Sequence, residues 1–147
     1  MDLKNLYREV ILDHNKNPRN TGALPPPALI AQGHNPLCGD QLIISCKVHD
    51  DRLDEVRFEG TGCAISTASA SLMTEAVKGK TVAEIEDLYN AVHHLLTHAQ
   101  SEAPAALGKL AALSGVAEYP ARVKCATLAW HTLRQALSGE NSTIKTE

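Results

Sequence analysis

The sequence predicts an α+β fold, in which helices pack on one face of a small antiparallel sheet of about three strands. Two segments in the first half of the chain alternate apolar and polar residues, as half-buried strands do. The segments after them carry apolar residues at helical spacing instead, and this order of strands before helices is typical of α+β proteins. With 147 residues, we expect one domain over 1–147.

The first element is an amphipathic helix, because apolar residues recur on one helical face from Leu3 to Ile11. It is expected to end before Asn17-Pro18. Residues 18–37 are rich in proline and lack periodicity, which predicts an irregular connection. A third strand is expected within it, at 28–33.

A β-hairpin follows the connection. Residues 41–49 alternate apolar and polar side chains, and 53–59 place Val56 and Phe58 on one face. Asp50-Asp51 between them predicts the turn, because aspartate tolerates turn conformations well.

Helices fill the second half of the chain. Residues 64–78 carry apolar residues at helical spacing and end at Gly79, a common helix terminator. Thr81 and Glu84 have the spacing of a capping box, in which each side chain accepts a hydrogen bond from the other residue's backbone N–H. We expect that helix to run to about residue 98.

Two more helices are predicted before the end of the chain. A short one covers 104–113, where alanine and leucine are frequent, and is bounded by Gly115. The last helix covers 121–138 and is closed by Gly139. Residues 140–147 are expected to form a flexible tail.

Composition and charge exclude several classes of function. The chain has one phenylalanine, one tryptophan, three tyrosines and a net charge of −3, so it has few rings to stack on bases and too little positive charge to follow phosphates. We therefore expect no nucleic-acid partner. No transmembrane helix is predicted, and the N-terminus lacks the apolar run of a signal peptide. We expect the protein to act in the cytoplasm, with no membrane partner.

Three of the four cysteines lie in contexts that favour a reactive thiolate. Cys38 follows Pro36 in a turn, Cys63 follows Gly-Thr-Gly, and Cys125 follows Arg-Val-Lys. In a reducing cytoplasm such cysteines are expected to bind metal or react rather than form disulfides. A C-x-x-C pair, typical of zinc ribbons and thioredoxin-like motifs, is absent.

The turn around Cys38 is expected to aim Cys38 and Asp40 at one point, because Pro36 fixes its own φ and Gly39 adopts conformations closed to other residues. Cys63 and Cys125 precede or begin predicted helices, where the helix dipole stabilises a negative sulfur. We therefore expect both of these thiols to be partly ionised near neutral pH.

Zn²⁺ and Fe²⁺ both bind thiolates, and a carboxylate can complete a tetrahedral set of ligands. The candidate set is Cys38, Asp40, Cys63 and Cys125. Arg122 and Lys124 lie where they can offset its negative charge. The alternative for any one cysteine is a small buried apolar residue, and Cys46, in the middle of a strand, fits that alternative.

Four histidines are weaker candidates. His34 precedes Cys38 by four residues and is expected to support the ligands without binding metal itself. His93, His94 and His98 have helical spacing suited to a metal, but no H-E-x-x-H motif is present. Solvated surface histidines are the favoured interpretation, and the role of residues 93–115 stays open.

Three segments resemble the SufU branch of the IscU/NifU-type iron–sulfur cluster assembly proteins. They are Asn35-Pro36-Leu37-Cys38-Gly39-Asp40, Gly60-Thr61-Gly62-Cys63-Ala64-Ile65-Ser66 and Arg122-Val123-Lys124-Cys125-Ala126. The resemblance spans nearly the whole chain, with the three motifs in the family's order. It implies an IscU/NifU-like fold, metal binding by Cys38, Asp40, Cys63 and Cys125, and a role for Cys38 as the acceptor of a persulfide sulfur from a cysteine desulfurase.

Two features distinguish the chain from the IscU pattern. Lys124 replaces the histidine that precedes the third cysteine in IscU proteins, and additional residues separate the Thr81 helix from Arg122. Both features resemble SufU. SufU-type proteins are associated with zinc and with sulfur transfer from a SufS-type desulfurase, whereas IscU proteins are described as platforms for [2Fe–2S] assembly.

The leading hypothesis is a zinc-binding sulfur acceptor and carrier, a sulfurtransferase-type relay, in which Cys38 accepts sulfur and Arg122 steadies charge or contacts the partner. The implied partners are a SufS-type cysteine desulfurase, other iron–sulfur assembly proteins and recipient apoproteins. One alternative is a scaffold that binds iron or an iron–sulfur cluster through Cys38, Cys63 and Cys125. Another is a binding module whose zinc is purely structural.

Overall fold

The computed structural model describes residues 3–36, 38–98, 105–139 and 143–145. In chain order the elements are helix α1 (Leu3–Lys16), strands β1 (Leu29–Asn35), β2 (Asp40–His49) and β3 (Arg52–Thr61), helices α2 (Ala64–Val77) and α3 (Val82–Thr97), a 3₁₀ helix (Ala105–Glu118), helix α4 (Pro120–Ser138) and strand β4 (Thr143–Lys145).

The sheet has the strand order β3-β2-β1-β4. Strands β1, β2 and β3 are antiparallel neighbours, which confirms the predicted three-stranded antiparallel sheet. Strand β4 pairs in parallel with β1, although it lies within the segment predicted to be a flexible tail. The free edge of β1 explains the difference, because its unpaired N–H and C=O groups can bind another strand. The rest of that segment, 140–142 and 146–147, lies outside the described residues.

The β2–β3 hairpin turns at the two residues predicted from sequence. Asp50 and Asp51 have φ angles of 50° and 64°, as the two central residues of the tight turns that suit the twist of a hairpin do. The capping box of α3 is also present. Glu84 N–H donates to Thr81 Oγ1 at 3.1 Å, and Thr81 N–H donates to Glu84 Oε1 at 3.0 Å.

The segment predicted as a short helix is helical, but it is a 3₁₀ helix and continues past Gly115 to Glu118. After a kink at Gly108, the buried residues Leu110, Leu113 and Val116 recur at every third position, which is the repeat of a 3₁₀ helix and not of an α-helix. Leu107 and Ala112 are buried as well. This element packs against α1, α3 and α4, so the described part of the additional stretch belongs to the core. Pro104, at its predicted start, lies outside the described residues.

The helices cover one face of the sheet, and α4 crosses it most closely at Gly33. Alternate residues of β1, Ala31, Gly33 and Asn35, point towards α4 and are buried. A Cβ atom at Gly33 would overlap Thr132 Oγ1 and lie 3.0 Å from Leu128 Cδ1. The glycine therefore lets α4 approach β1, and this approach brings Cys125 towards the end of the sheet. No helix in the described ranges is long and apolar enough to span a membrane.

We predict that Gly33→Ala lowers the free energy of unfolding by about 1–3 kcal/mol, the usual cost of adding a methyl group to a filled core. Urea unfolding monitored by circular dichroism measures it. Gln32→Ala is the control, because Gln32 is exposed on the other face of the same strand, and it should stay within about 0.5 kcal/mol of wild type. Equal stability of all three proteins would contradict the close approach of α4.

Candidate metal centre

The turn between β1 and β2 presents Cys38 at one end of the sheet. Asn35 and Asp40 are paired directly across the two strands, and Cys38 N–H donates to the Asn35 carbonyl at 3.3 Å. Gly39 has a φ of 71°, a conformation that glycine adopts without a steric penalty. Cys38 is half-buried, whereas Asp40 is fully buried.

Both carboxylate oxygens of Asp40 accept hydrogen bonds. Oδ1 accepts from the Cys63 N–H at 2.8 Å, and Oδ2 accepts from Asn35 Nδ2 at 3.2 Å. A buried carboxylate needs such donors, because burial without them is strongly unfavourable. The two bonds join the Cys38 turn to the beginning of α2.

Cys63 begins α2, as the sequence predicts. It is the N-cap residue, with φ −72° and ψ 170°, and its sulfur accepts from the Ser66 N–H at 3.5 Å. A side-chain acceptor at this position satisfies one of the unpaired N–H groups at a helix start. The Cys63 side chain is half-buried.

Cys125 lies in the first turns of the last helix, as predicted, but its ionisation differs from the prediction. Helix α4 begins at Pro120, so Cys125 lies in the second turn, beyond the unpaired N–H groups of the first. The residue is fully buried, and its S–H donates to Cys38 Sγ at 3.1 Å. Burial is the main cause that raises the pKa of the Cys125 thiol, and its contacts with Cys38 and Asp40 raise it further. The expectation of a partly ionised Cys125 is therefore wrong in the metal-free protein, because desolvation outweighs the helix dipole.

Arg122 provides positive charge on the exposed side of the centre. Its Nη1 lies 3.8 Å from Cys38 Sγ. Its hydrogen bond with Cys125, followed by its electrostatic interaction with the nearby cysteine side chains, raises the pKa of Arg122. The guanidinium therefore stays charged beside the sulfur atoms.

Within the described residues, one group of three side chains has the spacing of a metal site. The ligand atoms of Cys38, Asp40 and Cys125 all lie within 4.8 Å of one another. Two thiols and a carboxylate suit Zn²⁺ or Fe²⁺, so the donor set fits the predicted metals. The sulfur of Cys63 is not in this group, although its backbone N–H binds Asp40 and its thiol interacts with Cys125.

The remaining candidates lie apart from this group. Cys46 is fully buried in the core, and burial raises its pKa to about 11. His34 lies on the outer face of β1, since it alternates with the inward-facing Gly33 and Asn35. His93, His94 and His98 are all exposed on or just after α3, and the rings of His94 and His98 stack with centroids 4.0 Å apart.

Asn35 is the polar neighbour that the sequence analysis missed. Its side chain is buried and contacts both Asp40 and Cys125, whereas His34 was expected to support the site. A signal was available, because the residues on either side of a tight antiparallel turn face each other. Asn35 and Asp40 stand in those two positions.

Known proteins are similar to this chain in sequence and fold. Residues 6–138 match the sequence model of the NifU-like N-terminal domain family. The zinc-dependent sulfurtransferase SufU of Bacillus subtilis is 40% identical over 139 residues, which covers 95% of this chain and 94% of that protein. The iron–sulfur cluster assembly scaffold protein IscU of Streptococcus pyogenes is 39% identical over 135 residues, with coverage of 92% and 84%.

A solved structure also superposes over most of the chain. It is a protein of Fervidobacterium islandicum AW-1, described as a candidate scaffold for iron–sulfur cluster assembly in the SUF system. The TM-score is 0.82 and the identity is 34%, over 90% of this chain and 96% of that one. The predicted resemblance is thereby confirmed at the level of sequence and fold.

We predict that an alkylating reagent modifies Cys38 and Cys63 in the folded, metal-free protein and leaves Cys46 unmodified up to about pH 9. Cys46 is solvent-inaccessible, and its raised pKa keeps it in the unreactive thiol form below about pH 11. Peptide mass spectrometry after iodoacetamide treatment measures each site. In urea all four cysteines should react, which is the control. Modification of Cys46 at the rate of Cys38 in the folded protein would contradict this arrangement.

Proposed function

The chain belongs to the NifU-like N-terminal domain family, and from that premise we propose that it is a zinc-binding sulfur acceptor and carrier in iron–sulfur cluster assembly. The observation that carries the proposal is the group formed by Cys38, Asp40 and Cys125. One of its sulfurs, that of Cys38, is on a half-exposed turn. The centre is thus built like a metal site with one ligand that a partner protein can reach.

The residues that would hold zinc are Cys38, Asp40, Cys63 and Cys125. A bound Zn²⁺ supplies a Lewis acid that keeps coordinated thiols deprotonated. Cys63 would complete the set from the start of α2, where its sulfur accepts from the Ser66 N–H at 3.5 Å. The thiolates and carboxylate together carry more negative charge than Zn²⁺ neutralises, and Arg122 lies where it offsets the excess.

Cys38 is the sulfur acceptor in this proposal. Its thiolate attacks the terminal sulfur of a persulfide on the desulfurase. A new S–S bond forms at Cys38, the S–S bond on the desulfurase breaks, and the desulfurase cysteine leaves as a thiolate. Cys125 is poorly suited to this step because it is fully buried.

Sulfur transfer requires Cys38 to be free of the metal, since a coordinated thiolate is a weaker nucleophile than a free one. We infer that a side chain of the docked partner takes its place. Cys63 and Cys125 would keep the metal meanwhile, since Cys63 caps α2 and Cys125 lies within α4, and Asp40 would hold it in the resting state. Arg122 stays beside Cys38 and stabilises its thiolate charge.

The expected partner is a SufS-type cysteine desulfurase, followed by other assembly proteins and recipient apoproteins. We place the relay in the cytoplasm, where thiols stay reduced. Support comes from the zinc-dependent sulfurtransferase among the relatives. A purely structural zinc is disfavoured, because the side chains of Cys38 and Cys63 are both partly exposed, where a partner can reach them.

The second candidate function is a scaffold on which the same cysteines hold iron or an iron–sulfur cluster during assembly. The observation that favours it is the 39% identity to an IscU scaffold protein. Thiolates bind iron–sulfur clusters as well as zinc. Sulfur mapping distinguishes the two candidates.

We predict that Cys38→Ser abolishes persulfide acceptance and desulfurase activation while the fold is retained, because a serine hydroxyl is not ionised at neutral pH. Each protein is incubated with a SufS-type desulfurase and isotopically labelled cysteine, and the added sulfur is mapped by mass spectrometry. Cys46→Ser is the matched control and should leave transfer intact. Label on Cys63 or Cys125 with Cys38 unmodified would reject the role of Cys38. A cluster without label on any cysteine would favour the scaffold.

We predict that Asp40→Ala slows the loss of zinc to a chelator, because the hard carboxylate is the ligand that a competitor displaces most easily. The free energy of unfolding should fall by about 1–3 kcal/mol, since the donors of Cys63 and Asn35 lose a buried acceptor. Competition with a chromogenic chelator and thermal unfolding measure the two effects. Asp54→Ala, on an exposed part of β3, is the control. Rapid zinc loss from Asp40→Ala would show that Asp40 holds the site together instead.

A further inference from the structure

Asn35 connects two candidate ligands that come from different parts of the chain. It is the last residue of β1 and is paired across the turn with Asp40, the first residue of β2. Its Nδ2 lies 3.2 Å from Asp40 Oδ2 and 3.4 Å from Cys125 Sγ. One side-chain amide therefore links the end of the sheet to helix α4.

The chemistry of the neighbours determines which way this amide points. An NH₂ group has two hydrogens to donate, one for each contact. The opposite orientation would place the Asn35 carbonyl oxygen against the carboxylate of Asp40, and two acceptors repel each other. Asn35 Oδ1 is buried and finds no hydrogen-bond partner among the described residues. The two donated bonds are thus what orients the side chain.

The position of Asn35 complements that of Arg122. Arg122 is exposed and reaches Cys38 from the solvent side. Asn35 is fully buried and reaches Cys125 and Asp40 from the side of the core. A buried thiolate or carboxylate needs hydrogen-bond donors to offset its lost hydration, and a neutral amide provides them without adding a charge to the core.

We propose that Asn35 is a positioning residue of the metal centre. It holds the Asp40 carboxylate and the Cys125 sulfur in the orientation that binds metal, and its hydrogen bond to Cys125 withdraws electron density from that sulfur. Partners that donate to metal ligands fix ligand orientation and adjust ligand strength in this way. The inference rests on the proposed function, in which Asp40 and Cys125 are ligands.

The test replaces Asn35 with leucine, which has a similar shape and no donor. Zinc affinity, measured by chelator competition on the folded protein, should fall by about 10- to 100-fold. In the Co²⁺-saturated protein, the thiolate-to-cobalt charge-transfer band should move to longer wavelength, because the Cys125 sulfur gives up an electron more readily without its donor. Asn35→Ala is measured in the same way, so that a leucine variant that fails to fold does not end the test.

Thr132→Val is the matched control. Like the Asn35 variants it removes a buried hydrogen-bond donor close to β1, in this case a hydroxyl. Thr132 donates to the Leu128 carbonyl at 2.7 Å within α4, about two helical turns beyond Cys125. It should keep the wild-type zinc affinity and cobalt spectrum. A shifted spectrum in both Asn35 variants but not in Thr132→Val supports the proposal.

Two results would overturn the role of Asn35. The first is wild-type affinity and spectrum in a folded Asn35 variant. The second is weaker binding with an unchanged cobalt spectrum, which would make Asn35 a structural residue only. If the wild-type protein itself binds neither Zn²⁺ nor Co²⁺, the metal-binding function fails and this inference fails with it. The three outcomes are therefore distinguishable.

Discussion

Hydrogen bonds to the buried carboxylate of Asp40 connect the segments that carry the candidate ligands. Its two oxygens accept from Cys63 N–H and from Asn35 Nδ2, and Asn35 also donates to Cys125. These three bonds join the β1–β2 turn, the start of α2 and the second turn of α4. A buried carboxylate without hydrogen-bond donors would be strongly unfavourable. Burial of Asp40 is therefore favourable only when the fold brings these donors to it.

The cysteines of the centre differ in burial, and their proposed roles differ accordingly. Cys125 is fully buried, desolvation raises its pKa, and its S–H donates a hydrogen bond to Cys38. Metal binding must release that proton, which couples metal affinity to pH. Cys38 stays on a half-exposed turn beside Arg122. The same centre thus has one sulfur suited to holding a metal and one suited to meeting a partner.

Local patterns predicted the local elements well. The alternation in 41–59, the Asp50-Asp51 turn and the Thr81–Glu84 capping box each depend on neighbours in sequence, and each is present. Features that depend on distant contacts were missed. Strand β4 forms because β1 has a free edge, and Cys125 stays protonated because tertiary packing buries it. Asn35 was missed because histidine is a common metal-binding residue type, so His34 was expected to support the site. Strand alternation places His34 on the other face.

X-ray absorption at the zinc edge of the zinc-loaded wild-type protein shows whether Cys38, Asp40, Cys63 and Cys125 form one metal centre. We expect three sulfur ligands at about 2.3 Å and one oxygen ligand at about 2.0–2.2 Å. Cys63 is the critical ligand, because its sulfur lies outside the group formed by Cys38, Asp40 and Cys125. A shell with two sulfurs, with four sulfurs or with none would contradict the account.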